Sequence, residues 1–194
     1  MWRRLAAVSD RARVRRHPER AVPDEANDIL AEGLVAHVGF ADDGGPVVIP
    51  LLYGFSRDEP NRLVLHGSRA SRLQKVLASG APACVTVTIV DGLVFSRSAK
   101  YHSANYRSVV CFGRAREVTG DAEKERAMAE MTSRYFDGRT SGTDYQPPTK
   151  KDLDEITVVA FTIEERSAKA RRGGPRGPHD EDADSPFSRG IVDL

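Results

Sequence analysis

Cysteine, tryptophan and methionine are scarce in this sequence, at two, one and three residues among 194. Two cysteines allow one disulfide at most. Cys84 and Cys111 both fall in stretches that read as strand, so they are expected to be buried thiols in a reducing, cytoplasmic setting rather than a disulfide. A charge excess is also missing. Lys plus Arg is 29 against 28 for Asp plus Glu, a net +1, so no overall field recommends nucleic acid as a partner. No apolar run is long enough to span a bilayer, and no membrane partner is expected. The pair Arg3-Arg4 resembles the start of an export signal, but no apolar region follows residues 5–8, so no targeting role is expected. The histidines, at positions 17, 37, 66, 102 and 179, include no pair at metal-ligand spacing and none near a cysteine in a recognisable pattern, so no metal site is expected. There is no GxGxxG, no GxSxG, no recognisable carboxylate pair and no internal repeat, which sets aside dinucleotide-binding doubly wound folds, serine hydrolases and glycosidases. Catalysis by protein side chains alone is therefore poorly supported, and a cofactor that carries the reactive chemistry accounts for the missing cluster.

What is present reads as one domain, residues 22–172, between a basic tail over residues 1–21 and an irregular tail over residues 173–194. The first tail holds seven arginines within residues 1–20, the second an acidic patch at residues 179–184. Both ends read as solvated, although Phe187, Ile191 and Val192 give the last one a way to dock. A helix is expected over residues 24–31 and strands over 34–41 and 47–55. Pro50 interrupts the second strand and marks an edge, a bulge or a place where a ligand replaces a neighbouring strand. Residues 82–90 alternate, with Val85, Val87 and Ile89 facing one way and Thr86 and Thr88 the other. Asp91-Gly92 reads as a type I′ hairpin turn returning through residues 93–96. A polar loop over 98–105 precedes a long strand over 106–118, with Gly113 as a bulge. A helix from residue 120 carries Ala127, Met128, Met131 and Tyr135 on one face. A loop over 138–150, a short helix over 151–155 and a last strand over 156–164 complete the domain. Six or so hairpin-linked strands with few helices between them make the expected fold mainly β, a six-stranded antiparallel barrel.

One stretch stands out as a binding element. In RLVLHGSRASRLQKVL, residues 62–77, a short strand gives way to His66, Gly67 and Ser68, and helical spacing resumes at Leu73, Val76 and Leu77. The turn supplies hydroxyls at Ser68 and Ser71, backbone N–H groups and the guanidinium groups of Arg69 and Arg72. An anion such as a phosphate is favoured there by free N–H groups and by the bidentate grip of arginine. On local grounds an Arg/Ser-rich surface turn that merely starts a helix fits as well.

Four segments in order, GPVVIPLLYGF (45–55), LVLHGSRASRLQKVL (63–77), VTVTIVDGLVFSRS (85–98) and HSANYRSVVCFGRA (102–115), resemble the FMN-binding split-barrel superfamily, in the branch related to pyridoxamine 5′-phosphate oxidase that includes nitroimidazole-reductase-like flavoproteins. RSAKARRGGP (166–175) is similar to the branch's C-terminal basic segment. The resemblance implies a split β-barrel that forms a homodimer with FMN in each of two interface clefts. It carries Ser71 and Arg72, with Gly67 and Ser68, to the FMN phosphate. Ile49, Pro50 and Leu51 fall beside the ring, Thr86 and Thr88 at its edge, and His102, Asn105, Tyr106 and Ser108 at the cleft and dimer contact. Lys169 and Arg171 are carried over as further phosphate contacts. His66 matches a position that faces the flavin in nitroimidazole-reductase-like members, and a hydrogen-bonded strand-end histidine is its other reading. Phe187 stands where the branch has a Trp-containing segment. The substrate-phosphate residues of true pyridoxamine 5′-phosphate oxidases are not evident, so that activity is not expected. The expected function is FMN-dependent transfer of electrons from NAD(P)H to a small acceptor. A non-catalytic flavin carrier or sensor, or the same barrel holding deazaflavin or haem, are the alternatives.

Overall fold

The computed structural model describes residues 9–194; the Arg3-Arg4 pair and residues 5–8 lie outside them. The strands are β1 (Ala36–Asp42), β2 (Gly45–Leu51), β3 (Gly54–Phe55), β4 (Arg62–Ser68), β5 (Pro82–Phe95), β6 (Ser103–Val118), β7 (Ile156–Arg171) and β8 (Gly190–Asp193). They form one sheet, all of whose pairs are antiparallel, in the order β2-β1-β5-β6-β7-β4-β3, with β8 added to β5. The eight strands exceed the six expected by the two-residue β3 and by β8, both too short to show a period in sequence. Helices α1 (Ala26–Glu32), α2 (Arg72–Ala78), α3 (Asp121–Tyr135) and α4 (Lys150–Glu155) flank it. The sheet wraps around its core: Val38 of β1 and Leu65 of β4, far apart in strand order, share one buried cluster with Leu73 and Leu77 of α2. A second, smaller core lies on the outer face, where Ala127 and Met131 of α3 cover Val64, Val118, Val158 and Ala160.

Two glycines decide the register. Asp91-Gly92 is not a hairpin turn. Both residues lie inside the continuous β5, Gly92 does not take a positive φ, and the β5–β6 register slips between Val90 and Gly92. The carboxylate that would cap a turn is instead gripped by Arg107 from β6, with Nη2 2.6 Å from Oδ1. Gly92 lets β8 approach, since a Cβ there would lie 2.9 Å from the carbonyl oxygen of Val192. The bulge lies opposite Gly113 and not at it: pairing jumps from Phe112–Glu165 to Gly113–Ile163, which leaves Glu164 of β7 as the extra residue. The extra residue on β7 inverts that strand's alternation. Val159, Phe161 and Ile163 point inward before the bulge, and Ala168 points inward after it. Ser167 and Lys169 consequently face outward.

The ends are not simply solvated. Ala12 is buried, and the Arg11 guanidinium lies 4.8 Å from the Phe112 ring centroid. In the acidic patch Asp180 is 1% exposed. Its carboxylate accepts from the Ser96 hydroxyl at 2.9 Å, from the Arg97 amide at 2.8 Å and from the Gly177 amide. Phe187 remains exposed, while Ile191 and Val192 pair with β5 in β8. The loop expected over 98–105 is shorter, because β6 begins at Ser103.

Candidate functional site

Cross-strand partners put their side chains on the same face of a sheet, which makes the outer face legible row by row. Pro50, His37, Thr86, Val110 and Ser167 form one row across β2, β1, β5, β6 and β7. Thr88, Ser108 and Lys169 form the next, and Val90, Tyr106 and Arg171 the one beyond. On the other side runs the row Val48, Gly39, Cys84, Phe112 and Glu165. Six of the residues singled out in sequence, Pro50, Thr86, Thr88, Ser108, Tyr106 and Lys169, thus share one continuous face with Arg171.

This face is open. Val48 is 63% and Val90 45% exposed, and Pro50, His37 and Thr88 are also exposed. A shallow hollow of about 350 Å³ lies over Gly39, walled by Val48, Cys84, Phe112 and Pro46 and bordered by Arg11. The face therefore combines an apolar hollow with a strip of hydroxyl, imidazole and ammonium groups, the mixture that a flat, partly polar cofactor requires. The Ser108 hydroxyl donates to the Lys169 carbonyl at 3.4 Å, which ties β6 to β7 within the strip.

Other predicted residues lie elsewhere. Ile49 and Leu51 point inward and pack on the core, so of that trio Pro50 alone presents its side chain to the face. His102 is exposed before β6, its Nδ1 3.1 Å from the Ala99 carbonyl. Asn105 Oδ1 accepts from Arg171 Nη1 at 2.5 Å; Arg171 also donates to the carbonyls of Gly173 and Gly174 at 2.9 and 3.0 Å. Arg171 is thus engaged in anchoring the C-terminal segment to β6, and burial lowers its pKa.

His66 sits in the row of Val158 and Val118, under the layer formed by α3 and α4. That row is ten residues along β6 from Ser108, about 33 Å at ~3.3 Å per residue. Its Nδ1 is buried without a partner, so the strand-end histidine is not hydrogen-bonded there, and burial lowers its pKa. Gly67 faces inward and gives room to Gln74, whose Nε2 would lie 3.0 Å from a Cβ at that position. Gln74 is 1% exposed and its Oε1 has no partner.

In the turn before α2 the amides of Arg69 and Ser71 donate to the carbonyls of Glu155 and Ser68, both at 2.9 Å. Ser71 is the N-cap without a side-chain cap bond, while the Ser68 hydroxyl accepts from the Ala70 amide at 3.3 Å. The Arg72 guanidinium, however, is turned to Asp42 at the end of β1, which takes both Nε and Nη2 in a bidentate pair. That pair raises the arginine pKa and holds the Asp42 carboxyl below its usual value. The turn therefore adjoins the β1–β2 hairpin; the guanidinium is 5.8 Å from the ring centroid of Phe40, which faces the core.

Sequence reading missed His37, Val110 and Ser167. His37 carried a usable signal: it is a polar residue at an outward position of an alternating apolar strand. Both cysteines are free thiols, and burial pushes Cys111 up to about 12, which keeps it protonated and unreactive. Among the described residues no group of three metal-ligating side chains comes together, and no helix is long and apolar enough to cross a membrane.

A curled antiparallel sheet with few helices and an open, cofactor-suited outer face defines a split-barrel protein. Residues 23–170 match the family model described as pyridoxamine 5′-phosphate oxidase, and the chain belongs to that family. The FAD and heme binding protein from Mycobacterium smegmatis is 32% identical, with 90% of this chain and 84% of that chain covered and a TM-score of 0.79. The flavocytochrome Anf3 from Azotobacter vinelandii is 31% identical, with 96% and 85% covered and a TM-score of 0.84. A candidate 5-nitroimidazole antibiotic resistance protein from Bacteroides thetaiotaomicron shares the fold at 19% identity, with 77% and 86% covered and a TM-score of 0.62. No curated protein matches the chain.

Proposed function

We propose that this protein binds a flavin on the outer face of β2, β1, β5, β6 and β7, between two copies of the chain, and transfers electrons from NAD(P)H to a small acceptor. The observation that carries the reading is the register. It gathers Pro50, Thr86, Thr88, Ser108, Tyr106 and Lys169 on one face, bordered by Arg11 at one end and by the segment that Arg171 anchors at the other. Val48 and Val90, exposed at opposite ends of this face, are apolar side chains that a cofactor or a second subunit would shield from water.

The residues fit a flavin in different degrees. The open face fits well: the hollow over Gly39 suits an apolar ring, and the threonine, serine and lysine groups suit a polar edge. The turn at Ser68 and Ser71 fits a phosphate in part. The two hydroxyls and the first amides of α2 are suited to it, but Arg72 meets an incoming anion only by loosening its pair with Asp42. In this reading Ser71 and Arg72, beside the β1–β2 hairpin, hold the phosphate, Thr86 in the row next to the hollow orients the ring, and Thr88, Ser108 and Lys169 further along the face exclude water from it. The flavin, when bound, supplies the redox chemistry. Localisation in the cytoplasm accords with the two free thiols.

Sequence motifs favour FMN, whereas FAD is named for one relative above 30% identity. The test is titration of the purified protein with FMN and with FAD, followed by anaerobic addition of NADH or NADPH and reoxidation by a nitroaromatic or quinone. Binding with turnover supports the oxidoreductase; binding without reduction makes the protein a carrier or sensor; absence of binding overturns the reading. Haem is the second reading, favoured because the Mycobacterium smegmatis relative is named as binding heme and the Azotobacter vinelandii relative is named a flavocytochrome. An absorption spectrum of the freshly purified protein distinguishes it.

A further inference from the structure

We infer that His37, assigned no role by the motifs, is a contact residue of the cofactor on this face and reads the polar edge of the flavin ring. The inference rests on the flavin reading above. His37 projects from the middle of β1 between two cross-strand neighbours, Pro50 on one side and Thr86 on the other. Its imidazole is exposed, and among the described residues it makes no hydrogen bond or ion pair. Two residues along the same face of β1 is Gly39, above which the hollow of about 350 Å³ opens. A flat ring seated there meets Val48 and Phe112 as apolar walls, and where it extends beyond the hollow along β1 it reaches the next row of the face, the His37 imidazole with Thr86 beside it. Gly39 keeps that approach clear: a Cβ there would make only ordinary contacts, 3.6 Å to the Cys84 carbonyl oxygen, so the missing side chain is not demanded by packing beneath it. The pyrimidine end of a flavin carries carbonyl acceptors beside an N–H donor. A neutral imidazole has one nitrogen of each kind, and its tautomer adjusts to the group it meets.

The experiment is a footprint on the full-length protein. Histidines are carbethoxylated with diethyl pyrocarbonate, with and without saturating FMN or FAD, and read by mass spectrometry; exposed His17 and His179 serve as references. Flavin is expected to slow modification of His37 at least about tenfold relative to the references. In parallel, His37→Ala is expected to weaken flavin binding about tenfold, equivalent to ~1.4 kcal/mol, with part recovered in His37→Gln. A solvated strand histidine would show neither effect. If flavin binds with unchanged affinity to His37→Ala and leaves His37 as reactive as before, this inference falls while the flavin reading stands. If His37 is protected by haemin but not by bound flavin, the inference also falls. If no flavin binds, both fall.

Discussion

Replacing Gly113 with alanine puts a methyl group into the backbone of the neighbouring strand. The new Cβ would collide with the carbonyl oxygen of Thr162 and lie 3.0 Å from its carbonyl carbon. Neither atom can rotate aside as a side-chain end would, so β6 and β7 must separate where their registers change. Overpacking of a well-packed site typically costs 1–3 kcal/mol, and a backbone collision places this variant at about 3 kcal/mol. For a chain of this size each kcal/mol moves the melting midpoint by roughly 2–4 °C, so a fall of about 6–12 °C is expected. Function suffers for a separate reason. The bulge is what turns Ser167 and Lys169 outward, and losing it would shift the C-terminal half of β7 by one residue, moving Lys169 off the proposed flavin face. Thermal unfolding followed by far-UV circular dichroism, with a flavin titration on the same sample, measures both. Gly174→Ala, which has open space around it and an ordinary φ, is the control. A Gly113→Ala variant that melts within about 2 °C of wild type and binds flavin normally would refute the reasoning.

Arg107 bridges Asp91 and Glu32, and it holds both carboxyls below their usual values. Because these pKa values are depressed in the folded state, the stabilisation is present above about pH 4 and is lost as the pH falls through the folded values. Arg107→Ala is expected to lower stability by about 1–2 kcal/mol near neutral pH and to flatten the acid limb of a plot of unfolding free energy against pH. The buried Tyr53 hydroxyl donates to the Leu30 carbonyl at 2.7 Å. Tyr53→Phe should cost only about 1 kcal/mol by urea denaturation, since Arg134 Nη2 still donates to the same carbonyl at 2.9 Å. Asp180→Ala removes the acceptor that fastens the C-terminal segment to Ser96 and Arg97. Trypsin is expected to cleave after Arg176 or Arg189 faster in this variant, with the rest of the domain resistant.

How much of this was legible in the sequence depends on where each signal lives. The alternation of residues 82–90 exposed Thr86 and Thr88 as an outward pair, a local property of a pleated strand, whereas the bulge expected at Gly113 falls on the partner strand at Glu164. Asp91-Gly92 misled for a local reason too. The dipeptide favours a turn, but the decisive partner, Arg107, comes from another strand and is invisible to a window of a few residues. Lys169 and Ser108 sit far apart in the chain, and they share a row through a register set by a single extra residue near Glu164. The resemblance carries His66 to the flavin and Arg72 to its phosphate. Their actual surroundings, a row under α3 and α4 for one and the Asp42 carboxylate for the other, depend on tertiary contacts that no spacing rule encodes.

The central claim is that the outer face over Gly39 holds the flavin, and Gly39→Leu addresses it most directly. The Cβ at this position makes only ordinary contacts, so the fold tolerates the change while the side chain fills the hollow. Flavin titration by fluorescence quenching should then show saturable binding in the wild type and loss of at least about a hundredfold in affinity, ~2.7 kcal/mol, in Gly39→Leu, with the unfolding midpoint nearly unchanged. Wild-type affinity in a folded Gly39→Leu protein would contradict the account.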